Sequence, residues 1–333
     1  MRVGVIGNGV VVRDFLKALY KLKETRDVDC VAMLALRDED MEAARALGAE
    51  FGITTVYNDC EAFLNDAAID FVYIALPNAM HYEYALKALE HGKNVMCEKP
   101  FTSTEKQAGN LIETARQKHL MLFETITTIF FPNYKLIKEK LSEIGKVTLV
   151  DCNFSHVSSK YNALAAGKNP NVFNLEMGGG TMSDMNIYNI HFVLNMFGKP
   201  DNAVYFATKY KTGVDTSGMM VFDYQDMKAV CMSAKNCRGK NQMIIQGDKG
   251  YILCESGGNF IKGFKIIVGE EETSYNIQDD LPRLYYELET FESMFREKAY
   301  AQCYELLDYT RMVVGLCERA RKNAGIYYPA DKD

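Results

Sequence analysis

The first third of the chain alternates two hydrophobic periods. Short β-branched runs (RVGVIG, VDCVAMLAL, TTVY, DFVYIALP, KNVMC and LMLF) take turns with segments whose apolar positions recur three and four residues apart, such as VVRDFLKALYKL, DMEAARALGAEFG, HYEYALKALEHG and EKQAGNLIETARQKH. Alternation of strand and helix predicts βαβ units, and hence a parallel sheet covered by helices on both faces. Thr104 followed by Gln107 reads as a capping box, and Gly92 stands where a helix-ending glycine belongs.

Beyond residue 122 the rhythm changes. A helix, NYKLIKEKLSEI, leads into the strand KVTLVDCNFSHV, a loop containing GKNPNVFN, and a helical pattern over TMSDMNIYNIHFVLNMFG. From Ala203 to Ile277 strand patterns follow one another across turn signals at Gly213, Gly247 to Gly250 and Gly257-Gly258, which predicts a mostly antiparallel sheet. Two helical patterns, LYYELETFESMFREK and YAQCYELLDYTRMVVGLCERARKN, close the chain. The fold class expected is α/β: a doubly wound parallel sheet over residues 1–122, and an α+β domain with a large open-faced sheet over 123–333.

Composition narrows this. The chain has 333 residues, 48% hydrophobic and 25% charged, enough for two cores. A net charge of −6 without a long Lys or Arg run argues against a nucleic-acid partner. Nine cysteines form no C-x-x-C pair, so reduced thiols and no metal site are expected. MRVGVIG opens directly on a strand with no leader pattern, and no apolar run is long enough for a membrane span; a cytoplasmic location is the expectation.

Three motifs carry chemistry. Gly7-Asn8-Gly9 lies between a strand and a helix that opens at Val10, the context of a Rossmann dinucleotide fingerprint, with Val12 where a third glycine or alanine is usual. At the end of the second strand Leu36 replaces the acid that would bind a ribose 2′-hydroxyl, and Arg37 follows. NADP is therefore expected in preference to NAD, with Asp38 read as a helix N-cap before a ribose ligand. Glu98-Lys99-Pro100 ends the fifth strand, where open α/β sheets bind ligands, and Pro77-Asn78 and His81 follow the fourth. Asn78 reads equally as a helix cap or, with His81, as a neighbour of the nicotinamide ribose. Gly178-Gly179-Gly180 runs into a helix on which Asp184 and Tyr188, four apart, share a face; His191 shares it too but sits among apolar residues and reads as core. Tyr161, Asn171 and Phe173, before the glycines, read as pocket walls or as a surface loop.

Together these motifs, above all DFVYIALPNAMHYEYALKALEHGKNVMCEKPFT and GGG…D-x-x-x-Y, resemble the glucose-fructose oxidoreductase, inositol dehydrogenase and rhizopine-catabolism family over nearly the whole chain. Tyr188 is similar to the dihydrodiol dehydrogenase-like branch, whereas Asn186 departs from the glycine usual there. The resemblance implies hydride exchange between NADP or NAD and a sugar, inositol or diol. Lys99, Tyr188 and Asp184 would be catalytic, with either Lys99 or Tyr188 exchanging the hydroxyl proton. Gly7, Asn8, Gly9, Val10, Arg37, Pro77, Asn78, His81, Glu98 and Lys99 would line the cofactor site. It also implies a homodimer or homotetramer formed on the open sheet face. The rival readings are a non-catalytic NADP-binding sensor and a redox-assisted glycosidase or lyase that recycles its nicotinamide.

Overall fold

The β-branched runs form six parallel strands, β1 Arg2–Ile6, β2 Asp29–Leu34, β3 Val56–Tyr57, β4 Phe71–Ile74, β5 Asn94–Glu98 and β6 Leu122–Thr125, in the order 3-2-1-4-5-6. This is a computed structural model that describes residues 1–332. The strand order reverses between β1 and β4, and ligands of doubly wound sheets bind beyond the strand carboxyl ends at such a reversal. Val3, Val5, Val72 and Val95 are fully buried, as strands covered on both faces require. The connecting helices are α1 Val10–Lys23, α2 Met41–Glu50, α3 Cys60–Leu64, α4 His81–Glu90 and α5 Glu105–Gln117. Phe15 of α1 stacks on Tyr73 of β4 with ring centroids 3.7 Å apart, and Thr104 caps α5 by accepting from the Gln107 amide at 3.2 Å.

The second sheet contains β7 Val147–Ser155, β8 Asn202–Lys209, β9 Asp215–Asp223, β10 Lys228–Ala234, β11 Gln242–Gly247, β12 Gly250–Cys254, β13 Phe264–Val268 and β14 Glu271–Tyr275. Its order is 14-13-12-11-7-10-9-8, antiparallel throughout except where β7 runs parallel to β10. Around it lie α6 Pro132–Lys140, α7 Tyr161–Ala165 and α8 Ile187–Phe197, with α8 packed on β7 and β10. One face of the sheet buries Cys152, Met220, Phe222, Cys231 and Met243, while the other leaves Leu149, Phe206, Met219 and Tyr251 exposed.

The compact units do not follow a single cut. One comprises Met1–Thr125 with Asp280–Arg311; the other comprises Ile126–Asp279 with the residues from Met312 onward. The sequence reading divides the chain at 122 and leaves both closing helices, α9 Tyr285–Glu297 and α10 Tyr300–Asn323, in the second domain. Instead α9 packs within the first unit, where Phe291 stacks on Phe123 of β6 at 4.2 Å. An amphipathic pattern reveals which helix face is buried but not which sheet buries it.

Candidate active site

In the first unit the turn after β1 needs its first glycine. Gly7 has φ +115°, and a Cβ there would stand 2.4 Å from the Ala75 carbonyl oxygen. Gly9, by contrast, faces open space, has an extended backbone, and precedes α1 without a side-chain cap or an acidic residue in the first turn. Val10, 83% exposed, continues that open surface. A bare helix N-terminus beside a glycine with no neighbour is a cradle for a pyrophosphate, so the residues present fit a dinucleotide. Asn8 sits on the rim and donates to the Asp40 carbonyl at 3.4 Å. At the β2 end Arg37 is exposed and pairs with Glu39 at 2.5 Å and Asp40 at 2.6 Å, which raises its pKa and lowers that of Asp40. Asp38 does not cap α2. It opens a short 3₁₀ turn, Asp38–Asp40, and Asp40 precedes the helix, again without a side-chain cap bond.

The β4 and β5 ends are tied together by His81, a residue expected near the ribose. It is fully buried, its Nδ1 lying 2.9 Å from the Pro100 carbonyl oxygen and its Nε2 2.9 Å from that of Leu76. Burial lowers its pKa, against the two carbonyls, which favour the cation. His81 is thus a clamp behind the site. Asn78 does not stand at an N-cap position: Pro77 precedes a 3₁₀ turn, Asn78–Met80, and Met80 precedes α4. Glu98 also turns inward, buried, accepting from the Tyr73 hydroxyl at 2.7 Å, and so ties the end of β5 to β4. Lys99 follows, half-buried, with a cis peptide to Pro100. Glu124 braces the next residue by accepting from the Phe101 amide at 3.1 Å and from Thr310 at 3.0 Å.

In the second unit the expected regular helix is interrupted. Met182–Asn186 forms a π-helical turn before α8 begins at Ile187. The wider turn alters the i, i+4 geometry assumed for Asp184 and Tyr188, and such insertions recur at functional sites. Asn186 accounts for its own departure from glycine: its amide donates to the Cys231 carbonyl of β10 at 2.8 Å and pins the widened turn. Gly180, at φ +137°, lies against Asp215, whose carboxylate accepts from the Met182 amide at 2.8 Å and the Tyr205 hydroxyl at 2.7 Å. The glycine run therefore serves close packing.

Asp184 pairs with Lys235, a buried lysine just beyond β10 that sequence reasoning missed. The Lys235 ammonium also lies 5.3 Å over the ring of Phe173, which is fully buried rather than part of a surface loop. Tyr161 meets Phe173 edge-on, whereas Asn171 is exposed. Tyr188 is buried and edge-on to Phe154, whose other neighbour is His156. Partial burial and the Lys235 charge lower the His156 pKa, with Asp184 opposing them. His191 lies in the core. No local spacing links residues 156, 184 and 235, since three separate elements bring them together.

Residues 1–126 match the oxidoreductase family described as having an NAD-binding Rossmann fold, and residues 135–253 match the GFO/IDH/MocA C-terminal domain. The chain is 28% identical to scyllo-inositol 2-dehydrogenase (NADP(+)) IolU of Bacillus subtilis, covering 100% of this chain and 99% of that one. It is also 28% identical to trans-1,2-dihydrobenzene-1,2-diol dehydrogenase of Xenopus tropicalis, over 98% of each. Among solved structures, KijD10, a 3-ketoreductase from Actinomadura kijaniata in complex with NADP and TDP-benzene, superposes with a TM-score of 0.84 at 20% identity over 97% of each chain.

Proposed function

Because the chain belongs to the GFO/IDH/MocA oxidoreductase family, we propose that it is a dehydrogenase exchanging hydride between NADP and a carbinol carbon of a sugar, inositol or vicinal diol. The observation that carries the reading is the placement of Lys99 at the carboxyl end of β5, held by the buried His81 and Glu98 on a sheet whose α1 N-terminus is bare. A nicotinamide bound there supplies or accepts the hydride. Gly7, Gly9 and Val10 receive the pyrophosphate, and Arg37 receives the 2′-phosphate. That the full-length relatives named above include an NADP-dependent inositol dehydrogenase and a diol dehydrogenase supports this choice of cofactor and substrate class.

The chain's own groups divide the remaining work. The Lys99 ammonium polarises the reacting oxygen, and Lys99 or Tyr188 exchanges the hydroxyl proton. Asp184 accepts a hydrogen bond from a substrate hydroxyl and orients it. The exposed apolar face of the second sheet, with Phe206 and Met219, supports a homodimer or homotetramer. Nine cysteines without a C-x-x-C pair support a reducing, cytoplasmic compartment; among the described residues no helix is long and apolar enough to cross a membrane.

The test screens the purified protein with NADP and NAD against inositols, aldoses and vicinal diols, following reduced nicotinamide and product separately. Stoichiometric change in both is expected. Product without net nicotinamide change would replace this reading with a recycling enzyme, and binding without turnover would replace it with a sensor.

A further inference from the structure

The cluster around Asp184 contains a cation that no substrate can reach. The Lys235 side chain is 3% exposed, while that of its partner Asp184 is 35% exposed. The lysine backbone is held from both sides: its amide donates to the Thr216 carbonyl at 2.8 Å, and its carbonyl accepts from the Ser158 amide at 2.9 Å. Its ammonium lies over Phe173, itself packed with Leu164 and Val214, so the charge cannot swing out without breaking a small core. A buried ammonium requires a carboxylate partner, since an unpaired buried charge is strongly disfavoured. Here that partner is the one acidic group of the segment that faces outward.

We propose that Lys235 is a positioning residue for Asp184: it grips Oδ2 from inside and fixes the half-exposed carboxylate in one orientation, from which it meets a substrate hydroxyl. The proposal rests on the functional reading above only for the identity of that substrate; the pairing itself is a property of the free protein. The π-helical turn is part of the device, because Asn186 anchors it to β10, the strand that delivers Lys235. His156 stands at the rim, where both charges act on its imidazole. The charged and titratable groups facing the cluster are Asp184 from the π turn, Lys235 from beyond β10, His156 from beyond β7 and Asp215 from β9.

The test compares the full chain with Lys235→Met and Lys235→Arg, using two readouts. The first needs no substrate: proton NMR follows the titration of His156, assigned with a His156→Gln variant. Lys235→Met removes the positive neighbour and leaves Asp184 unopposed, so the His156 midpoint should rise, whereas Lys235→Arg should keep it near the native value. The second is the pH profile of kcat/KM on the substrate the native protein turns over. Lys235→Met should lower kcat/KM by about tenfold or more and move its acid limb upward, since an opposite charge nearby favours the ionised carboxylate, with NADPH affinity retained and Lys235→Arg partly restoring both.

An unchanged His156 midpoint and an unchanged acid limb in Lys235→Met would overturn the proposal. A shifted midpoint in a protein with no dehydrogenase activity would leave the pairing standing and remove the functional reading instead. Should Lys235→Met fail to fold, Asp184→Asn decides the matter: loss of the carboxylate should lower the His156 midpoint, and no change there overturns the pairing.

Discussion

The imidazole of His81 stands 2.9 Å from the carbonyl oxygen of Pro100, joining the start of α4 to the turn that follows Lys99. Since its other nitrogen meets Leu76, His81 holds the ends of β4 and β5 in register without touching solvent. His81→Leu removes both contacts and leaves two inward-facing carbonyls, which should cost about 2 kcal/mol of stability. Chemical denaturation measures this. kcat should fall, because the clamp fixes the turn that follows Lys99; a variant with native stability and native kcat would show that the clamp is dispensable.

Lys99→Met keeps the length of the side chain but removes the ammonium. Turnover of the identified substrate should fall by at least about a hundredfold, the lower range for a positioned proton-transfer group. NADPH should still bind, as read by its emission in a protein without tryptophan. Tyr188→Phe should behave alike. Near-native turnover in either variant would remove that residue from the proton path.

The two units differ in how far the sequence disclosed their candidate residues. Gly7-Asn8-Gly9 and Glu98-Lys99-Pro100 were legible because each lies at a strand end within a repeating βαβ rhythm, so position alone assigns them an edge of the sheet. Lys235 was not legible: its partner is 51 residues away, and an isolated lysine after a strand reads as solvated. The π turn at Asp184 was hidden because its residues satisfy an ordinary helical pattern. That the His81 ring meets the Pro100 and Leu76 carbonyls was not legible either, since local pattern carries proximity to the strand end but not side-chain direction.

Cofactor choice is expected to rest on Arg37. Its guanidinium is exposed and already paired with Glu39 and Asp40, so a 2′-phosphate must share it with two carboxylates. Arg37→Ala should weaken NADP by about tenfold or more, as loss of a charge-assisted contact implies, and leave NAD little changed. Leu36→Asp combined with Arg37→Ala should reverse the preference. Titrations at one fixed salt concentration decide it. If the unaltered protein bound NAD equally or more tightly, Asp38 would become the ribose ligand.

The second unit is fastened at its C-terminal end. Arg321, buried, makes a two-pronged pair with Asp331 at 2.6 and 2.8 Å and lies 4.0 Å over the Tyr328 ring, while the Tyr328 hydroxyl donates to the Gly179 carbonyl at 3.0 Å. Arg321→Met removes this pair but leaves Asp331 with Lys322 at 3.3 Å and the Tyr328 amide at 2.6 Å, and should cost about 2 kcal/mol, as loss of hydrogen bonds to a charged group implies. Because the chain of contacts ends on the glycine run before Asp184, kcat/KM should fall with it. A melting temperature equal to the native one would show that the tail is not part of the fold's stability.

Stability against pH should carry the mark of Glu287. This residue of α9 is buried, and burial raises its pKa well above the ordinary carboxylate value; Glu98 and Glu124 push it further, while Arg283 opposes them. Tyr73, which donates to Glu98, is also fully buried, and burial together with the Glu98 and Glu287 charges raises its pKa well above the usual value. The folded chain therefore holds a proton over a range in which the unfolded chain has released it. The stability linked to that proton is complete below the unfolded value of about 4.3 and is lost as pH rises through the folded value. Glu287→Gln has no proton to lose. It should match the native protein near pH 4 and exceed it in melting temperature by a margin that widens as pH increases through neutrality. A margin that stayed constant with pH would mean that Glu287 is ionised in the fold, with Arg283 outweighing burial.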